Sequence, residues 1–384
     1  MSEKADVVGL TFSCNNSQHA YDLAQDFRQR GVTVVAGGTH TTAVPNEVLE
    51  HVDAVLCGEA EGGAWERLLS DVGTPRLGGI YRNAETPSVC GFNPPRVDLF
   101  RHPERYIDFS PIEATRGCTH NCSFCFNSAI HGEGFRTRPV EEVAEDARRA
   151  TSRNLMFMDD NLCGKRGYAK ELFRALIPLK KRLFFQSDLL MTEDPELMDL
   201  ARQAGAQFVF VGIESFEEAS LGSVNKSWNK VGMYKEYIDR FHQQGIFVSA
   251  GLILGLDNDR VDIFEKTLRY LIDIGVDNAA VNLLIPYPGT PFYEQMKAEG
   301  RILTDDTRRY TGFDVVVQPK QMSVDELMAG YDDVLRRFYS KRRYGATMLR
   351  TGMWRKTPHI YAMAWWREPR RRTWSGTLNR RGGE

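Results

Sequence analysis

No apolar run in this chain is long enough to cross a bilayer. The longer ones, such as Phe247 to Leu256, fall well short of the roughly 20 residues that a spanning helix needs. Charge of one sign is missing too: 49 Lys and Arg stand against 51 Asp and Glu, a net charge of −2. That balance gives no global attraction for nucleic acid. Cysteine is scarce, with seven in 384 residues, an odd number. No secretory leader is recognisable ahead of them, so a disulfide-stapled scaffold is not expected and the reducing cytoplasm is. The remaining composition, 42% hydrophobic and 26% charged, is that of an ordinary globular protein. The length suits two domains, or one large domain with an appendage.

Three of the few cysteines crowd into Arg116-Gly117-Cys118-Thr119-His120-Asn121-Cys122-Ser123-Phe124-Cys125. A Cys-x3-Cys-x2-Cys loop can wrap three thiolates around one centre, as iron–sulfur ligands do. Three ligands leave one iron of a four-iron cube without a protein donor. A zinc site with His120 as fourth ligand is the competing reading, although structural zinc sites usually pair their ligands in two groups. No second pair lies near in sequence.

Cys118, Cys122 and Cys125, with aromatic Phe124 before the last, resemble the signature of the radical S-adenosylmethionine (SAM) enzymes. The resemblance implies a 4Fe-4S cluster whose open iron is chelated by S-adenosylmethionine. An electron from the cluster then cleaves the sulfonium to methionine and a 5′-deoxyadenosyl radical, which abstracts a substrate hydrogen. It also implies an electron donor such as flavodoxin or ferredoxin.

The chain before the motif alternates strand and helix. Ala5 to Phe12, Val32 to Ala36 and Ala54 to Cys57 read as strands; His19 to Arg30 and Asn46 to His51 read as helices. Gly37-Gly38 permits a tight turn or a close approach of backbone to a ligand. Residues 1–72 are thus a partial Rossmann-like domain, and 73–108, rich in Pro, Gly and Asn, a linker. The stretches Val34 to His40 and Asp53 to Glu61 resemble the cobalamin-binding domain attached to many radical SAM enzymes. That resemblance puts Ser13 near the cobalamin nucleotide tail, and Gly37 and Gly38 where they leave room for it. A generic half-Rossmann scaffold, with glycines that merely turn the chain, is the other reading. The family domain opens with two further strands and an Asp-x-His-x-x-Gly loop, which this sequence lacks. It is therefore expected to start at the domain's third strand, as a shortened chain or part of a longer one.

From Phe109 to about residue 300 the alternation becomes regular. Strands are expected at Ser110–Thr115, Leu155–Met158, Leu183–Ser187, Phe208–Ile213, Val248–Leu254 and Ala279–Leu284, with helices around 166–178, 194–203, 231–243 and 260–273. Pro139 suits the first turn of one more helix, with Glu141 and Glu142 at its start and Arg148 and Arg149 at its end. Six repeats predict an α/β fold, a parallel (β/α)6 partial TIM barrel over 109–300 with its chemistry at the C-terminal strand ends. The family has the same partial barrel. By resemblance, Asp159 and Asp160 lie near the S-adenosylmethionine amino group, Glu214 of Gly-Ile-Glu-Ser near its ribose, and Ile253 and Gly255 along its adenine. Gln186 is assigned to the same cofactor. Read from the residues alone, Asp160 or Asn161 caps a helix, Gln186 lines the barrel or bonds locally, and Glu214 meets an arginine. Tyr287, in Pro286-Tyr287-Pro288-Gly289-Thr290-Pro291, touches substrate or packs.

Residues 301–384 form a helical extension, opened by a capping box at Ser323 to Glu326 and expected to shape the substrate cavity. Its end interleaves Trp354, Trp365, Trp366 and Trp374 with Arg367, Arg370, Arg371, Arg372, Arg380 and Arg381. This reads as a packed helix with a basic tail, or as a membrane-surface contact. The leading functional expectation is a cobalamin-dependent C-methyltransferase acting on a small-molecule or lipid-like substrate. The alternatives are a cobalamin-independent radical cyclisation, rearrangement or oxidation, and a non-catalytic iron–sulfur protein.

Overall fold

A computed structural model describes residues 5–92 and 107–340, apart from 132–133, together with 96, 99, 105, 343 and 345. The Trp/Arg-rich end at 354–381 lies outside the described residues. Among those described, no helix is long and apolar enough to cross a membrane.

The N-terminal part runs β1 (Val7–Thr11), α1 (Ser17–Gln29), β2 (Thr33–Gly37), α2 (Thr39–Ala43), α3 (Pro45–Leu49), β3 (Ala54–Leu56), α4 (Ala64–Asp71) and β4 (Ile80–Tyr81). Its four strands form one parallel sheet in the order β1-β2-β3-β4. Because side chains alternate across a strand, the sheet has two different faces. Val8, Leu10, Val34, Ala36 and Val55 pack under α1 and α3, whereas Val35, Ala54 and Leu56 pack under α4. β4 falls inside the segment read as linker: Val55 N–H donates to Gly79 O at 3.0 Å and Cys57 N–H to Tyr81 O at 2.9 Å. The sheet therefore extends past residue 72.

The second part runs β5 (Ser110–Ile112), β6 (Thr115–Gly117), α5 (Phe126–His131), β7 (Phe135–Thr137), α6 (Val140–Arg149), β8 (Asn154–Phe157), α7 (Arg166–Leu176), β9 (Arg182–Ser187), α8 (Pro195–Ala204), β10 (Ala206–Glu214), α9 (Glu218–Ser223), α10 (Tyr234–Gln243), β11 (Phe247–Leu254), α11 (Ile263–Asp273), β12 (Asn278–Leu283), α12 (Pro291–Ala298) and α13 (Val324–Phe338). β5, β8, β9, β10, β11 and β12 make a six-stranded parallel sheet in chain order. Local chemistry sets the boundaries. Asp194 caps α8 by accepting from Leu197 N–H at 3.0 Å, Pro195 fills its first turn, and Gly205 ends it at φ +96°. The capping box of α13 forms as expected, with Ser323 and Glu326 bonded reciprocally.

The expected first strand, Ser110–Thr115, is broken in two. The buried Asp159 carboxylate takes the N–H groups of Ala114 and Thr115, so those donors leave the parallel ladder. The chain then turns into β6, which pairs antiparallel with β7.

Outward residues of the six strands, such as Leu155, Phe185, Val209, Val211, Val248 and Val281, form one core with the surrounding helices. Each large apolar side chain so buried contributes about 1.5–3 kcal/mol. On the inner face Phe109 meets Phe184 edge to face, and Phe184, Phe208 and Phe247 stack in sequence, with ring centroids 4.7, 6.2 and 5.6 Å apart. They floor the barrel at the N-terminal end of its strands. Above them Met158 and Gln186 are exposed, so the interior is open. The C-terminal ends of the two parallel sheets face each other. Cys14 packs with Leu256 and Ile285, and a Cβ on Gly289 would lie 3.0 Å from Ala43 Cβ.

Candidate active site

The cysteine loop leaves β6 between the two sets of strand ends. Its middle is pinned by backbone alone: Ser123 N–H donates to Val224 O and Ser123 O accepts from Phe292 N–H, each at 3.2 Å. None of the three cysteines is in a disulfide; Cys122 is buried and the other two half-buried. Burial pushes the Cys122 thiol up to about 11, against the pull of the nearby Lys226 charge. Asn161 Nδ2 lies 3.9 Å from Cys118 Sγ and donates to Asp188 Oδ2 at 2.8 Å. His120 turns away from the thiols. Its Nε2 is 3.0 Å from Asp188 Oδ2, and its ring stacks on Trp228 at 3.8 Å. A ring held this way is not offered as a fourth zinc ligand.

The adjacent carboxylates after β8 separate. Asp159 is 1% exposed and accepts from Ala114 N–H at 3.1 Å, from Thr115 N–H, and from Thr115 Oγ1 at 2.7 Å. Burial raises its pKa to about 7 despite these donors. It braces the strand that delivers the cysteine loop, and this corrects its assignment to the cofactor amino group. Asp160 is half-buried, and its charge reaches Cys118.

Glu214 stands at φ +65°, and within the chain its partner is a lysine where an arginine was the alternative to the cofactor ribose: Lys226 Nζ donates to Oε1 at 2.8 Å. Asn229 Nδ2 fixes this bend by donating to Gly212 O at 3.0 Å and Ile213 O at 3.2 Å. Sequence reasoning missed Lys226 and Trp228. They lie in an irregular segment twelve and fourteen residues after Glu214, where periodicity carries no signal.

Phe124 and Ile253 share one apolar cluster with Tyr287 and Cys14, so three strand-end loops and the N-terminal part meet there. Gly255 differs from expectation. Its N–H is taken by Asp259 Oδ2 at 3.0 Å, and a Cβ, at φ +94°, would lie 2.8 Å from Leu327 of α13. Its smallness serves helix docking. Gln186 is exposed on the inner face, the barrel-lining alternative for it. The cavity expectation for 301–384 divides as well. α13 packs outside the barrel on α11, with Gly330 against Phe264 and Arg337 on Glu265 at 2.6 Å. Tyr310, Val316 and Val317 instead join the apolar cluster at the mouth.

On the opposite sheet, Ser13 is exposed and donates to Asn15 Oδ1 at 2.6 Å. The space beside the Gly38 α-carbon is filled by Thr11 Oγ1, 2.3 Å from where a Cβ would stand. Gly9 and Gly37 project from the face that α4 covers elsewhere, and a Cβ on Gly9 would meet nothing within 4 Å. The two sheets are tied by charge. Arg116 Nη1 donates to Glu59 at 2.8 Å and Nη2 to Glu61 at 3.0 Å, while Nε holds Glu113 at 2.6 Å. Arg136 adds a second bond to Glu59 at 3.0 Å.

Comparison with known proteins agrees with this geometry. Residues 112–271 match the Radical SAM superfamily, and residues 290–368 a domain of unknown function, DUF4070. The chain is 28% identical over 343 residues to the bacteriochlorophyllide d C-12(1)-methyltransferase of Chlorobaculum tepidum, covering 87% of this chain and 75% of that protein. It is 25% identical to the hopanoid C-2 methylase of Rhodopseudomonas palustris, covering 87% of this chain and 64% of that one. In fold it is similar to the cobalamin-dependent radical enzyme OxsB, with a TM-score of 0.66 at 15% identity over 92% of this chain and 63% of that one. It is also similar to the methyltransferase TsrM of Kitasatospora setae, with a TM-score of 0.62 at 14% identity over 88% and 72%. Residues 112–271 are a radical SAM domain, and the chain is an enzyme.

Proposed function

We propose that this chain is a cobalamin-dependent radical SAM methyltransferase that methylates an unactivated carbon. The observation that carries the reading is the apposition of the two sets of strand ends, with the cysteine loop between them and methyltransferases among the relatives. Three thiols on one loop, with Asn161 at Cys118 and Lys226 beside Cys122, suit an anionic 4Fe-4S centre held by Cys118, Cys122 and Cys125. When bound, the cluster and S-adenosylmethionine supply the 5′-deoxyadenosyl radical, and cobalamin supplies the methyl group.

The chain's own residues bind and exclude water. Asp160, in place of Asp159, is the acceptor for the cofactor ammonium. Phe124, Ile253 and Tyr287 give the adenine an apolar face. The phenylalanine floor and the exposed Met158 and Gln186 bound the substrate space. The open space beside Gly9, on the same sheet face as Gly37, suits the cobalamin nucleotide tail, with the Ser13 hydroxyl as a further contact. A low-potential electron donor completes the system.

The test is anaerobic reconstitution with iron, sulfide and hydroxocobalamin, followed by desalting. Corrinoid retained at about one per chain, with 5′-deoxyadenosine formed from S-adenosylmethionine, is expected. Cleavage without corrinoid overturns the cobalamin step and leaves a radical cyclisation, rearrangement or oxidation. That second reading has its own observation, since Thr11 already fills the space beside Gly38.

A further inference from the structure

The fold bends its backbone to place one charge. β10 breaks register between Gly212 and Glu214, and Glu214 takes a left-handed conformation, φ +65°, that non-glycine residues seldom adopt. A Cβ on Gly212 would stand 2.3 Å from Glu214 Oε1 and 2.8 Å from Lys226 Nζ, so a side chain there would displace the pair from this position. Lys226 is 8% exposed. Burying an ammonium costs several kcal/mol unless it is compensated. Glu214 compensates in part, and the Trp228 ring lies 4.9 Å from Nζ. Backbone and ring contacts bring this charge to the cysteine loop: Ser123, next to Cys122, donates its N–H to Val224 O at 3.2 Å, two residues before Lys226, and Trp228 stacks on His120 of the same loop at 3.8 Å.

We propose that Lys226 sets the reduction potential of the cluster held by Cys118, Cys122 and Cys125, and that Glu214 moderates it. Reduction brings one electron from an external low-potential donor onto a centre that the thiolates already make anionic. A fixed positive charge in a buried setting stabilises the more negative, reduced form more than the oxidised one. Glu214 offsets part of that charge, so removing the carboxylate and removing the ammonium act in opposite directions. A merely structural role would not give opposite signs. The inference rests on the cluster assignment made above.

The experiment uses the full chain, reconstituted anaerobically. Iron and sulfide per wild-type chain come first; failure to load four of each defeats the cluster assignment and this inference with it, whereas a loaded cluster lets the titration test this inference alone. Wild type, Lys226→Met, Lys226→Arg and Glu214→Gln are then titrated with titanium(III) citrate, without S-adenosylmethionine, and the reduced cluster is read by electron paramagnetic resonance. At the wild-type midpoint, Lys226→Met is expected to lower the reduced-to-oxidised ratio by roughly tenfold or more, the effect of one charge at an effective dielectric near 20. Glu214→Gln is expected to raise the ratio, and Lys226→Arg to leave it close to wild type. Equal midpoints, or shifts of the same sign for Lys226→Met and Glu214→Gln, overturn the proposal. An unchanged midpoint with weaker S-adenosylmethionine retention also overturns it and gives Lys226 to the cofactor carboxylate. If Lys226→Met loads no iron, Lys226→Arg at the wild-type midpoint with Glu214→Gln above it still supports the proposal, and any other order refutes it.

Discussion

Replacing Asp159 and replacing Asp160 should have opposite kinds of consequence, although the two are neighbours in sequence. Asp159→Ala leaves the N–H groups of Ala114 and Thr115 without an acceptor in a fully buried position. Thr115 Oγ1 can rotate to another partner, but the amides cannot. At about 1–3 kcal/mol for each stranded donor, the loss is about 2–6 kcal/mol. The low end applies above pH 7, where the wild type itself bears the cost of an ionised buried carboxylate. The direction of the pH dependence follows from a folded pKa of about 7 against an unfolded value near 3.8. The stability from proton uptake at Asp159 is fully present below the unfolded value and is lost as pH rises through about 7. Asp159→Asn keeps an acceptor oxygen and removes the titration, so it should be near neutral in stability and flatten that window. Asp160→Ala, half-buried beside Cys118, should lose less stability than Asp159→Ala and weaken S-adenosylmethionine retention instead. Urea unfolding followed by circular dichroism, run between pH 4 and 8 with iron per chain measured alongside, reads all of this. An Asp159→Ala midpoint within about 1 kcal/mol of wild type, or an Asp160→Ala protein that unfolds as early, would refute the reasoning.

Two further outcomes test the assembly around the site. Arg116→Met strips a half-buried hub from Glu59, Glu61 and Glu113 and should destabilise by about 3 kcal/mol. That is the low end for a broken buried pair, because Arg136 still faces Glu59; the expected calorimetric signature is an earlier, separate transition. Gly255→Ala meets both a left-handed backbone and Leu327 at 2.8 Å and should cost about 1–3 kcal/mol. S-adenosylmethionine affinity, by equilibrium dialysis, should stay at the wild-type value; a fall in affinity at unchanged stability would return Gly255 to the cofactor.

The sequence alone determined the period of the fold and put three cysteines on one short loop. Six alternations of strand and helix prescribe parallel strands with loops at one end, and the cysteine spacing is short enough to be set by its own loop. Strand and loop position also aims Phe124 and Ile253 at the same end, where both pack in one apolar cluster. The partners were decided by tertiary structure. Asp159 and Asp160 look alike in sequence, and only the approach of Ala114 and Thr115 makes the first a buried brace and leaves the second half-buried. Gly255 reads as a cofactor glycine until α13, some seventy residues later, brings Leu327 against it. Lys226 carries no periodic signal, because its place depends on the register break in β10 and the bend at Glu214. Periodicity and short spacings are properties of the local chain. Which buried charge meets which donor is a property of contacts between segments far apart in sequence, and those exist only once the chain has folded.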